Sequence, residues 1–122
     1  MRIILPGLPP RDANPNARVH HMRLSSVRRN QKDVMIASVL EMPTMDRPNE
    51  PWDKAHLTIT FQAPDKRRRD LDNLLGACKA YIDGLVAASV IIDDSADNLS
   101  ISLYYEKDKE HAATIFDIKE II

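Results

Sequence analysis

Residues 57–86 read LTITFQAPDKRRRDLDNLLGACKAYIDGLV, and the change of pattern along this stretch decides the architecture. Leu57-Thr58-Ile59-Thr60-Phe61 alternates apolar and polar residues at period two, the mark of a strand with one buried face. Four consecutive cations, Lys66 to Arg69, then run into Asp70, Leu71, Asp72 and Asn73. From Leu71 the spacing becomes helical, and a helix is predicted over 71–88. Asp70 is a good N-cap, and Asp72 falls in the first turn, where the helix dipole favours an anion. Apolar positions cover more than one stripe of this helix, which predicts burial on two sides, by the sheet and by a second subunit. Asp72, Gly76, Lys79 and Asp83 are left as a polar stripe on one face.

Working outward, Met1 to Leu8 contains a first strand, stopped by Pro6-Gly7 and Pro9-Pro10. Residues 9–22, rich in Pro, Asn and Arg, read as an irregular loop. A second helix is predicted over 26–42 from Val27, Val34, Met35, Val39 and Leu40, with Ser25 or Ser26 as its cap. Pro43, Pro48 and Pro51 mark a linker. On the C-terminal side, Val90-Ile91-Ile92 leads into an Asp93-Asp94 turn. Leu99 to Glu106 and Thr114 to Ile122 alternate again, and read as two antiparallel strands joined by a Lys107–His111 turn. The expectation is one domain spanning 1–122, built from four strands and two helices.

Composition bounds the partners. The chain has 122 residues and a net charge of −1, which alone says nothing for nucleic acid. Its distribution says more: residues 1–82 carry 14 Lys/Arg against 9 Asp/Glu, and residues 83–122 carry 3 against 9, or +5 and −6. Such asymmetry predicts a face for polyanions. One cysteine, Cys78, excludes an internal disulfide and fits a reducing compartment. No apolar run reaches the length of a membrane span or a signal peptide, so a cytoplasmic protein with no membrane partner is expected.

The chemistry concentrates around residue 70. Carboxylates that collect a divalent cation, set beside cations that collect phosphate, are what metal-assisted phosphodiester cleavage requires. The plain alternative is a capped helix after a solvated loop, but capping needs one side chain rather than Asp70, Asp72 and Asn73 together. The Asp93–Asn98 stretch reads either as an ordinary polar turn or as the source of a third carboxylate for a cation held by Asp70 and Asp72. The segment from Asp93 fails as a calcium loop, because its sixth position is Asn98 rather than Gly and its twelfth is Tyr104 rather than Glu. Four histidines and one cysteine show no zinc spacing, and three glycines make no phosphate loop. Few aromatics are present for stacking on single strands.

The run from Pro64 to Leu75, followed about twenty residues later by Asp93-Asp94, resembles the RusA-type Holliday-junction resolvases. The opening Leu5-Pro6-Gly7-Leu8-Pro9-Pro10 and the stretch Asn14-Pro15-Asn16-Ala17-Arg18-Val19-His20 are similar to that family's N-terminal segment. The resemblance implies a homodimeric endonuclease that places paired nicks in four-way DNA junctions using Mg²⁺ or Mn²⁺. It implies an α+β fold with a mixed sheet packed by two helices. Asp70, Asp72 and Asp94 match the family's metal-binding catalytic carboxylates. The family's catalytic lysine commonly stands where this chain has Gly76, which leaves Lys79 as the available substitute. Lys66, Arg67, Arg68 and Arg69, with Arg18, Arg28 and Arg29, would hold the duplex arms through phosphates.

Overall fold

Period-two alternation places Leu57, Ile59 and Phe61 on one face of a strand, and all three are fully buried there. Around that strand the computed structural model, which describes residues 1–122, arranges seven elements. They are β1 (Arg2–Pro6), α1 (His21–Leu40), β2 (Ala55–Gln62), α2 (Leu71–Gly76), α3 (Lys79–Ala87), β3 (Leu99–Glu106) and β4 (Ala113–Glu120). The sheet is mixed, in the order β1-β4-β2-β3. β4 is antiparallel to both β1 and β2, while β2 and β3 are parallel, with Ile59 opposite Leu103 on one side and Phe116 on the other.

Met35 and Val39 of α1, with Ile82 and Leu85 of α3, close over the apolar face of the sheet. Each large side chain so buried contributes about 1.5–3 kcal/mol. The opposite face carries His56, Thr58, Thr60 and Gln62, all half-buried. No helix is long and apolar enough to cross a membrane.

α1 and α3 approach closely because Gly84 has no side chain. A Cβ there would meet Met35 Cβ at 2.7 Å and the Lys32 carbonyl at 2.9 Å. Gly84→Ala is therefore expected to destabilise the fold by about 1–3 kcal/mol through overpacking. An unchanged urea midpoint would show that the two helices part at no cost.

Three expectations are corrected. The helix over 71–88 is two helices, broken at Ala77 and Cys78. There the Cys78 N–H turns back to the Leu75 carbonyl at 2.9 Å. The buried Gln31 side chain reaches in from α1 and donates to the Ala77 carbonyl at 2.7 Å. A side chain entering the backbone ladder is a recognised cause of a helix break. α1 starts at His21, ahead of the expected serine caps, because His20 is extended and its Nδ1 accepts from the Met22 N–H at 3.2 Å. β3 and β4 do not pair as a hairpin. The chain after β3 crosses the end of β2, where the Lys109 N–H donates to the Ala63 carbonyl at 2.9 Å, and β4 enters between β1 and β2. β4 buries Phe116 and Ile118 and takes a central position beside β2; β3, with Ile101 and Tyr104 exposed, takes one edge.

Candidate functional site

Asp70 stands at the N-cap of α2 with extended backbone (φ −87°, ψ 129°), yet its side chain makes no capping hydrogen bond. The carboxylate turns instead toward Arg68, whose Nη2 lies 3.3 Å away. Asp72 is exposed, and its Oδ1 accepts from the Asn73 N–H at 3.0 Å. Asn73 faces the N-terminal loop, where its Oδ1 accepts from Asn16 Nδ2 at 3.0 Å. The capping explanation of Asp70 thus fails on geometry, and a carboxylate is left facing an arginine-lined opening.

The four-cation run divides into parts with different work. Arg69 is only 17% exposed, and its Nη1 donates to Asp65 Oδ1 at 2.8 Å and to Tyr105 Oη at 2.8 Å. Tyr105 Oη in turn donates to the Arg67 carbonyl at 3.0 Å. Arg69 is therefore the strut that shapes the loop. Lys66 and Arg68 point outward, 82% and 90% exposed, and Arg67 is exposed with Asp65 at 3.6 Å. Lys66 pairs with Asp108 at 3.8 Å and Arg68 with Asp70 at 3.3 Å, exposed contacts that are worth little in water, so all three cations can turn to phosphate.

The strut has a pH signature. Hydrogen bonding from Arg69, and then from the Arg67 N–H, holds the Asp65 carboxyl down at about 2. A depressed carboxyl stabilises the fold above its unfolded value of about 3.9, and that stability is lost as pH falls toward the folded value. Melts between about pH 5 and pH 2 should therefore fall more steeply for the wild type than for Asp65→Asn. Parallel curves would remove the strut from the stability of the loop.

Asp70 lines a cavity of about 450 Å³ that it shares with Arg67, Arg68 and Asn73, and with Arg11 and Asn14 of the N-terminal loop. Asp94 lies elsewhere. Lys79, the first residue of α3, donates to Asp83 at 2.7 Å and also to Asp94. Lys79, Asp94 and Arg28 line a second cavity, floored by Leu75 and Ile82. Its two partners raise the Lys79 ammonium above the ordinary lysine range, Asp83 first and Asp94 next. The ammonium lowers Asp94 in return. A local turn aims Asp94: its N–H donates to Asp93 Oδ1 at 2.9 Å, and Asn98 ties the turn to the Asp53 carbonyl at 2.8 Å. Arg18, Arg28 and Arg29 are exposed and have no ion-pair partner.

Two features of the expected polar stripe change. The helix break redirects Lys79 toward Asp94, so the stripe is not continuous with Asp72. Position 76 is not open either. Pro15 packs against Gly76, and a Cβ there would collide with Pro15 Cγ and lie 2.9 Å from Pro15 Cδ.

Oxygen-only donors such as Asp70, Asp72 and Asp94 are the chemistry that Mg²⁺ or Mn²⁺ takes. As folded, however, they do not converge: no group of three His, Cys, Asp or Glu side chains is placed to hold a metal. Asp70 and Asp94 line different cavities, and each is held by a cation of the chain itself.

Arg11 and the Pro15–Gly76 contact belong to this region without a signal of their own in the sequence, and Asn14 is marked there only as part of a segment, with no role. A Pro- and Asn-rich loop with an isolated arginine does not say where it docks. Comparison of the chain with protein-family models gives no match, and comparison with curated proteins gives none.

Proposed function

We propose that the chain is a structure-selective endodeoxyribonuclease of the RusA type, a homodimer that resolves four-way DNA junctions by paired nicks. The observation that carries this reading is Asp70, a carboxylate at an N-cap that caps nothing and faces a cavity rimmed by Arg67 and Arg68. Acid beside phosphate-gathering cations suits a reaction at a phosphodiester better than it suits a helix end. Lys66, Arg67 and Arg68, with Arg18, Arg28 and Arg29, would position duplex arms by charge, which holds DNA without reading its sequence. Arg69 would act on affinity through the loop it braces. Lys79 is the cation available for a non-bridging phosphate oxygen. A two-fold dimer would set one site on each of two opposed strands. Mg²⁺ or Mn²⁺ is the cofactor this reading calls for, and the carboxylates of the free chain do not form its site.

The experiment is a nicking assay on a synthetic four-way junction beside linear duplex, with Mg²⁺, with Mn²⁺ and with chelator. Paired, metal-dependent nicks confined to the junction are expected. A second reading, a junction-binding protein without cleavage, is favoured by one observation: Asp94 is held on Lys79, apart from Asp70. Tight junction binding with no nicks in either metal would select it.

Under both readings the exposed arginines meet phosphates. Replacing Arg67 and Arg68 by Ala should flatten the logarithmic salt dependence of junction affinity by about 0.9 for each phosphate no longer neutralised. An unchanged slope would return the run to a solvated loop.

A further inference from the structure

The cavity beside Asp70 holds more than a phosphate needs. Arg11 at its rim is exposed and has no ion-pair partner, so its guanidinium is available for an anion. Behind it, Leu8 and Leu74 are half-buried and packed on the core, and they give the cavity an apolar wall. Two amides are oriented by their neighbours. Asn14 Oδ1 accepts from the Asn16 N–H at 2.9 Å, and Asn73 Oδ1 accepts from Asn16 Nδ2 at 3.0 Å. Neither the Asn14 nor the Asn73 Nδ2 donates a hydrogen bond within the chain, and both residues line the cavity. At about 450 Å³ the space falls within the range of small-molecule sites and far exceeds that of an ion.

We propose that this cavity takes one nucleotide turned out of its stack, its phosphate on Arg11 and its base against Leu8 and Leu74. The Asn14 and Asn73 amides would donate to acceptor atoms of the base. The choice of occupant rests on the junction reading: turning a base out costs least where pairing or stacking is already disturbed, and the point of strand exchange is where a junction's continuous stack is interrupted. Selection for structure would then come from the ease of turning a base out, beyond the phosphate contacts that any duplex offers.

The test titrates the full chain with deoxyadenosine 5′-monophosphate and, separately, with inorganic phosphate, following backbone amides by NMR. The mononucleotide should shift the amides around Arg11, Asn14 and Leu74 and bind at least about tenfold more tightly than phosphate. Arg11→Ala should weaken it by about tenfold or more, the loss expected for one charge-assisted hydrogen bond, and Arg11→Lys by less. Four-way junction DNA should displace the mononucleotide. Equal affinity for phosphate, shifts elsewhere, or a junction that binds without displacing the mononucleotide would each overturn the proposal. The nicking assay is independent of these readouts. Nicks without a nucleotide site would sink only this inference; displacement by the junction without nicks would sink only the nuclease reading.

Discussion

Asp94→Asn should leave junction binding within about threefold of wild type and reduce nicking by about 100-fold or more, the scale of losing one group that stabilises a transition state. The carboxamide keeps the size of the side chain and an oxygen that can accept from Lys79. What it removes is a negative charge. The Lys79 side chain is 57% exposed and that of Asp94 26%, so the pair is partly screened by solvent and its loss should cost about 1 kcal/mol of stability, too little to prevent folding. Asp70→Asn should behave alike. Its carboxylate makes no cap, and its one ionic partner is Arg68, 90% exposed. Repulsion of phosphate falls in both variants, so affinity should hold or rise. The check is a binding isotherm and a single-turnover nicking rate on the same junction. Near wild-type rates in both variants would mean that these carboxylates carry no chemistry.

How far the sequence reached depends on the range of the interaction. Alternation along β2 named its buried residues one by one, because the period of a strand is local and one face had to be buried. The set of strands and helices followed from the same local signals. Strand order did not. Alternation in 99–106 and 114–122 says which side chains point inward, and nothing about whether β4 lies beside β3 or beyond β2. The break between α2 and α3 was hidden for the same reason. It is held by Gln31, which reaches the Ala77 carbonyl from 46 residues earlier in the chain. At the site, the residue types were legible and their pairings were not. Four cations in a row look equivalent, yet Asp65 and Tyr105 take Arg69 as a strut and leave Arg68 in solvent. Lys79 illustrates the mixed case. Its pairing with Asp83 follows from i+4 spacing, whereas its contact with Asp94 depends on where the chain returns after α3.

Lys79→Ala is expected to lower nicking at least about tenfold with little change in folding. The lysine has two partners, Asp83 and Asp94, and it is exposed enough that losing both should cost about 1 kcal/mol or less. Moving the cation to position 76 should not restore activity. A glycine taken by itself would leave space there for an ammonium or for a DNA backbone. In the fold that space belongs to Pro15, and even a methyl group at 76 would push against the proline ring. Gly76→Lys should therefore displace the loop that carries Asn14 and Asn16, break the Asn16–Asn73 hydrogen bond and lower the melting temperature by about several degrees. The combination Gly76→Lys with Lys79→Ala should be less active than Lys79→Ala alone. Adding Pro15→Gly to it separates the causes. If the clash is what silences a lysine at 76, relieving it should recover stability, and part of the nicking with it. Full rescue by Gly76→Lys while Pro15 is still in place would show that the loop yields freely, and that Gly76 is not held to glycine by Pro15.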